Sequence, residues 1–456
     1  MGRCMGLLGI FVFVALGWAF SRNRKAIDWR TVAWALTLQW LFALIVLKGD
    51  LLAGALAFLP FPKGTGWAVA ALLAVPVFLD GVDDRIRKRV NWTVFGLVLL
   101  GALRGNLVGA AFDALRLGVV NLMAYASAGA TFVFGPLADP RGPQGLIFAF
   151  AVLPTIIFVA SIFALLYHLG VMQRLIGASA RTICRFLKVS GAESVNVAAS
   201  ILMGQAEAPL TIRPFLAQLT RSELMVVMTA GMAHVSGAIM VAYVQVAGVD
   251  VAHLLTAVIM TAPGAIMMAK LLEPETGRPV TGGNPTVELP RQDANLLDAA
   301  ARGASEGLLL AFNVAGMLVA FIALVALVNG LLRAAHPTLS LERVLGLLFR
   351  PFALIMGVPW AETGQVGTLL GKRMVVNELV AFIDLGQMRE LSAKARLIAT
   401  FALCGFANFS SIAIQVGGIG ALAPERRSDL ARLGVKAMLA GSMANAVSGC
   451  IAGVLG

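Results

Sequence analysis

Stretches that carry no Asp, Glu, Lys or Arg over a length that spans, or nearly spans, a lipid bilayer occur at 5–20, 31–47, 147–169, 224–247, 251–269, 308–330, 397–418 and 437–455. A helix rises about 1.5 Å per residue, so about 20 apolar residues cross a hydrocarbon core of about 30 Å. Within lipid each backbone amide and carbonyl must be paired inside the protein, which a helix achieves within one segment. The expected fold class is therefore an all-α polytopic membrane protein. Composition agrees: 59% of the 456 residues are hydrophobic and 13% charged, whereas a soluble domain of this size needs roughly a quarter charged. A compact soluble enzyme does not fit. Two further runs, 66–79 and 92–110, are weaker, because the second carries Arg104; they flank the basic stretch Arg85, Arg87, Lys88, Arg89. They read as an extra amino-terminal pair of spans beside about eight core ones.

The formal net charge is +12, which in a soluble chain would suggest a nucleic-acid partner. Here the basic residues sit in short stretches between apolar runs, the pattern of cytoplasmic loops, so no nucleic acid is expected. Arg22, Arg24 and Lys25 follow the first run and no strong basic region precedes it. That asymmetry places the amino terminus outside, in the periplasm of a bacterial inner membrane, with no cleavable signal. The cytoplasmic segments are then 21–30, 80–91, 170–190, 270–303 and 419–436, each with a basic cluster. Lys372, Arg373, Arg389, Lys394 and Arg396 run against this bias. Cys4, Cys184, Cys404 and Cys450 show neither disulfide nor metal-ligand spacing, and the four histidines are too dispersed for a metal centre. Nothing in the polar 271–303 segment resembles a phosphate-binding loop after a strand, which argues against an ATP-driven pump. No cofactor and no metal is expected.

Two regions do not read as simple spans. Gly204-Gln205-Ala206-Glu207-Ala208-Pro209 interrupts an apolar stretch within 191–218, and Met374-Val375-Val376-Asn377-Glu378-Leu379 does so within 361–387. A polar knot in such a place suggests two half-helices that meet at a turn and leave by the side of entry. Its unpaired backbone must be buried in protein or line a cavity, and its helix ends suit polar ligands and ions. The chain also echoes itself: Gly231-Met232-Ala233-His234-Val235-Ser236-Gly237 resembles Gly405-Phe406-Ala407-Asn408-Phe409-Ser410-Ser411. Glu207 precedes His234 by 27 residues and Glu378 precedes Asn408 by 30. Each hairpin follows a long span (147–169, 308–330) and a basic amphipathic arm (172–188, 341–358). A chance match of small residues is the plainer account of so short a repeat. The expected organisation is amino-terminal spans in 1–110, then a first core half in 111–270 with hairpin 191–218 and broken helix 222–247. A cytoplasmic loop, 271–303, leads to a second half in 304–456 with hairpin 361–387 and broken helix 394–418. Two related units of opposite orientation around a central site are what alternating access in a secondary transporter uses.

Glu207 and Glu378 are the centre of that site. A carboxylate in an apolar setting is costly and normally faces a cavity and a partner; the plainer reading is an acid at a wet loop tip. Gln205 and Asn377 beside them both donate and accept, a mixture suited to a neutral polar ligand. A phosphorylated one would want converging Arg or Lys, which the knots lack. Asn408, Ser410 and Ser411 are either helix-packing residues or an unwound segment facing the hairpin. Phe406 and Phe409 either stack on a flat ring or make packing and lipid contacts. His234 is open to three readings: a packing histidine, a proton-coupling group, since its ordinary pKa is about 6.5, or a substrate contact. His168, His253 and His336 lie near span ends and suggest nothing specific.

At these residues a family resemblance appears. Gly204-Gln205-Ala206-Glu207-Ala208-Pro209-Leu210, continuing to Arg213-Pro214-Phe215, resembles a signature of the concentrative nucleoside transporters, in which the third position is usually Thr or Ser. Asn377-Glu378-Leu379-Val380-Ala381 and Gly405-Phe406-Ala407-Asn408-Phe409-Ser410-Ser411-Ile412 are similar to the other two signatures. Phe134-Gly135-Pro136-Leu137 also fits, and residues 7–47 resemble the family's opening. The resemblance implies a bacterial permease, a homotrimer embedded in membrane lipid whose protomers each import nucleosides by symport with a cation. It implies that Gln205, Ala206 and Glu207 meet the base, with Ile239 packed against it. Glu378, Asn408 and Ser411 would hold the ribose hydroxyls, with Phe406 bordering the pocket and no catalytic residue. In sodium-coupled members the ion would lie against an Asn at the position of Ser200, a hydroxyl at that of His234, and carbonyls of Met203 and Val235. An imidazole offers nitrogen where sodium wants compact oxygens, so a proton is expected as the coupling ion, carried by His234 with Glu207 as its nearest partner. Ala206 leaves the base preference open. The competing readings are sodium coupling, transport of a nucleobase or other small neutral solute, and a membrane enzyme built on paired carboxylates.

Overall fold

The computed structural model of the chain describes residues 2–49, 107–139, 147–282 and 293–456, with positions 51, 54, 142 and 145. All regular structure among them is helical. Helices α1 (Gly2–Ala19), α2 (Trp29–Leu47) and α3 (Leu107–Phe134) lead to a single turn, Phe148–Ala151, and α4 (Leu153–His168). The first half continues through α5 (Val171–Leu187), α6 (Gly191–Ser200), a 3-10 arm (Ala208–Gln218), α7 (Arg221–Ala233), α8 (Gly237–Ala247) and α9 (Val251–Leu272). The second half repeats that order with α10 (Leu296–Ala335), α11 (Leu341–Ile355), α12 (Thr363–Val375), α13 (Glu378–Gln387), α14 (Ala393–Leu403), α15 (Phe409–Leu422) and α16 (Arg427–Leu455). Eight helical stretches of the described residues are long and apolar enough to cross a membrane.

Local chemistry explains where the helices start. Ser190 with Glu193, and Thr220 with Glu223, form capping boxes at the heads of α6 and α7, each satisfying two amides that a helix start leaves unpaired. His234 then takes an extended backbone (φ −101°, ψ 167°) and ends α7, and Ser236 restarts the chain as α8 by accepting from the Ile239 amide. Every residue of α7 from Ser222 to Ala233 is buried, so this broken helix runs through the interior and not along lipid. Beside it α4 and α10 pack through small residues. A methyl on Gly303 would lie 2.6 Å from Ala164 Cβ, and one on Gly307 2.8 Å from Ala160 Cβ, the close backbone approach that drives helix association in membranes. Leu309, Phe312, Val319, Ile322, Leu327 and Leu331 of α10 face outward.

Several expectations need correction. Helix α3 was not among the expected spans, although it carries no charged residue after Arg116. Span 308–330 extends to Leu296–Ala335 and absorbs part of the expected loop. Asn295 caps its start, and Arg302 pairs with Glu306 (2.8 Å) and with Asp293 (2.6 Å), so charged residues continue the helix. The second arm of the first hairpin is a 3-10 segment bent at Ile212, ahead of Pro214, instead of an α-helix. The expected span 66–79, residues 92–106 of the expected span 92–110 and the turn-forming residues 283–285 lie outside the described residues. Three of the basic residues that ran against the charge bias act inside the second half. Lys372 pairs with Asp384 (2.7 Å), Arg396 donates to the Leu385 and Met388 carbonyls at the end of α13, and Arg373 is buried.

Candidate functional site: two hairpin tips against two helix breaks

The site grows out of helix capping. Asn377 and Asn408 both hold extended backbone and cap α13 and α15: Asn377 Oδ1 accepts from the Val380 amide (2.9 Å), and Asn408 Oδ1 from the Ser411 amide (2.9 Å) and the Ser410 hydroxyl (2.7 Å). With its oxygen so used, Asn408 has its Nδ2 left to donate to Glu378 Oε2 at 3.0 Å. The other oxygen of Glu378 accepts from the Tyr243 hydroxyl at 3.0 Å. Tyr243, from α8, lies flat on Phe382 with ring centroids 4.4 Å apart. A buried carboxylate is thus held at both oxygens, near the amino-terminal ends of α13 and α15, whose partial positive charge favours it.

The first hairpin reaches the same place. Gln205 is buried at its tip, donates from Nε2 to Ser411 Oγ (3.0 Å) and accepts at Oε1 from Gln415 Nε2 (3.3 Å). Behind both lies a second knot. Arg373 donates to the carbonyls of Ala402 (2.9 Å) and Gly405 (3.3 Å) and to Asn445 Oδ1 (2.9 Å). Asn445 Nδ2 donates to the carbonyls of Ala233 and Cys404, both at 2.9 Å. The carbonyls left unpaired where α7 and α14 stop are therefore satisfied by one arginine and one asparagine. Phe406 joins the two breaks directly, its amide donating to the His234 carbonyl at 3.2 Å.

Gln205, Glu378, Asn408 and Ser411 are thus brought together, and Ile239 is buried near the start of α8. Ala206 faces Gly418, 3.8 Å from the position of a Cβ there. Glu207 is exposed and lines a different space: a cavity of about 310 Å³ shared with Tyr167, Met203, Ser236, Arg302 and Glu306. At the edge of that cavity the Asp293 carboxyl is held below its ordinary pKa by the hydrogen bond from Arg302. Phe409 is 52% exposed.

Of the residues expected around an ion, Ser200 donates its hydroxyl to the Asn196 carbonyl (2.9 Å) and Val235 is buried. His234 is buried with Nδ1 2.8 Å from the Ala230 carbonyl, while its Nε2 meets no hydrogen-bond partner. A carbonyl only accepts, so Nδ1 carries a hydrogen. The expected pairing of His234 with Glu207 is not formed, because the ring is buried under the end of α7 while the carboxylate turns out into the cavity. Four residues central to the geometry escaped the sequence reading. Arg373 was visible only as an exception to the charge bias, and Tyr243, Gln415 and Asn445 only as single polar groups in apolar helices.

Re-entrant hairpins, interrupted helices and a buried cluster of neutral and acidic groups define a membrane transporter built from two repeats. Residues 253–453 match the family described as Na+ dependent nucleoside transporter C-terminus, residues 8–61 its N-terminus, and residues 149–250 a nucleoside recognition domain. Over its full length the chain is 38% identical to an uncharacterized transporter of Haemophilus influenzae, covering 98% of it, and 39% identical to the uncharacterized transporter YutK of Bacillus subtilis, covering all of it. It is 33% identical to human solute carrier family 28 member 3, over 98% of this chain and 59% of that protein. The structure of CNTnw in an inward-facing substrate-bound state matches with a TM-score of 0.81 at 36% identity, covering all of this chain and 98% of that one. The chain belongs to the concentrative nucleoside transporter family, whose members are transporters and not enzymes.

Proposed function

We propose that the chain imports nucleosides across a bacterial cytoplasmic membrane by alternating access, as a homotrimer, with a proton as the coupling ion. The observation that carries this reading is the buried grouping of Glu378, Asn408, Ser411 and Gln205. A carboxylate accepts from ribose hydroxyls, the amides and the serine hydroxyl both donate and accept, and the cluster suits a neutral, hydroxyl-rich ligand. Arg373, the buried cation beside it, is spent on carbonyls and Asn445, so nothing there favours a phosphate. The outward apolar face of α10 suits lipid and a second copy of the chain.

The proton reading rests on His234. An imidazole exchanges a proton near neutral pH and its bulky ring is a poor substitute for an oxygen ligand to sodium; burial of the ring opposes its charged form, so in this reading the proton is taken up when the site opens to water. The family description, Na+ dependent, makes sodium the competing ion. Uptake by the full-length protein in proteoliposomes tests both parts. Uridine and adenosine accumulate when a pH gradient is imposed without sodium, and His234→Ser loses that response. Accumulation driven by sodium at equal pH, with no response to a pH gradient, overturns proton coupling. Accumulation of uracil but not uridine makes the cargo a nucleobase, and turnover without accumulation makes the protein an enzyme.

A further inference from the structure

We infer that Gln415 sets the base preference of the site by fixing which end of the Gln205 carboxamide faces the substrate. The inference rests on the nucleoside reading above. Gln415 follows Ser411 by four residues, so both lie on the same face of α15, and both are buried. Its approach to α7 depends on Gly231, where a Cβ would collide with Gln415 Nε2.

The two ends of a carboxamide have the same shape, so its orientation is normally decided by its neighbours. Here the sequence of neighbours starts at a group that cannot turn round. The Met228 carbonyl of α7 only accepts, and it lies 3.1 Å from Gln415, so the facing atom is Nε2. The same NH2 group lies 3.3 Å from Gln205, whose facing atom must therefore be Oε1. The NH2 of Gln205 is thereby turned the other way, where it donates to Ser411 Oγ. A ligand that draws the Ser411 hydroxyl into its own contacts frees that NH2 and meets a donor.

Among the residues expected to meet the base this donor has no rival. Ala206 has no hydroxyl, and an ionised Glu207 only accepts. The pyrimidines differ at ring position 4, where the uracil and thymine type carries an oxygen acceptor and cytosine an NH2 donor, and in the opposite sense at position 3; in this inference the Gln205 NH2 is set against position 4. The arrangement therefore favours uridine over cytidine, and the determinant is Gln415 acting through Gln205, as a positioning residue.

The test compares kcat/KM for uridine and cytidine uptake in proteoliposomes by the full-length wild type, Gln415→Glu and Gln415→Met. A glutamate there presents an acceptor to Gln205 whether it is ionised or protonated toward the Met228 carbonyl, so Gln205 turns its oxygen to the ligand. The uridine-to-cytidine ratio then falls by about tenfold or more, the effect of one exchanged hydrogen bond. The methionine fills the space without orienting Gln205, and the ratio moves part of the way. A purely structural role for Gln415 lowers both rates together and leaves the ratio alone. An unmoved ratio in transporting variants overturns the inference, and should Gln415→Glu fail to fold, Gln415→Met decides it by the same measure. A wild type that carries neither nucleoside overturns the nucleoside reading and this inference with it. A wild type that carries them, with a ratio that neither variant moves, overturns this inference alone.

Discussion

Glu378 has both oxygens occupied by residues from other helices, Tyr243 and Asn408, so its position is fixed before any ligand arrives. Glu378→Gln exchanges one acceptor oxygen for an NH2 that meets donors already in place. Uridine uptake is expected to be lost, while near-normal transport would show that the carboxylate does not hold the ribose. Tyr243→Phe removes a hydrogen bond to a charged group, worth about 1.5–3 kcal/mol. It is expected to lower kcat/KM for uridine about tenfold or more with little change in expression. Residues such as Glu378, Gln205 and Asn408 were legible in the sequence because ionised or amide groups inside apolar runs are conspicuous. Tyr243 and Gln415 were not, since a lone tyrosine or glutamine in a membrane helix is commonplace and takes its meaning from what stands opposite it. Glu207 was legible as an acid in an odd place, but the side to which it turns was not.

Among the elements, uncharged length identified most of the spans, and a polar knot flanked by apolar residues identified both hairpins. Charge hid the head of α10, where Asp298, Arg302 and Glu306 sit on helical turns, whereas α3 is uncharged after Arg116 and was open to the same reading. The breaks in α7–α8 and α14–α15 are sharper than their sequences suggest, and glycine accounts for one of them. A Cβ on Gly405 would lie 2.6 Å from the Ala233 carbonyl oxygen and closer still to Asn445 Oδ1. Gly405→Ala therefore forces the two breaks apart. Overpacking of this kind costs about 1–3 kcal/mol, so detergent-solubilised protein is expected to melt at a lower temperature and to take up less nucleoside. Unchanged melting would mean that the breaks yield without strain.

At the scale of the molecule, α4 packs closely on α10 through Gly303 and Gly307 against Ala160 and Ala164. Gly307→Leu is expected to separate the pair and lower the melting temperature, whereas Leu309→Ala on the outward face of α10 should leave it nearly unchanged; equal effects would remove the special place given to the glycines. Elsewhere Glu273 gathers Arg22, Arg221 and Lys436, so the loop between α1 and α2 is tied to both halves. The knot of Arg373 and Asn445 carries a mechanical consequence. The same two side chains grip the ends of α7 and α14, and a joint pinned on both sides cannot act as a hinge. On the proposed reading, the binding groups are then held as one cartridge with the ends of α7 and α14. A cavity lined by α4, α10 and the tip of the first hairpin borders that cartridge.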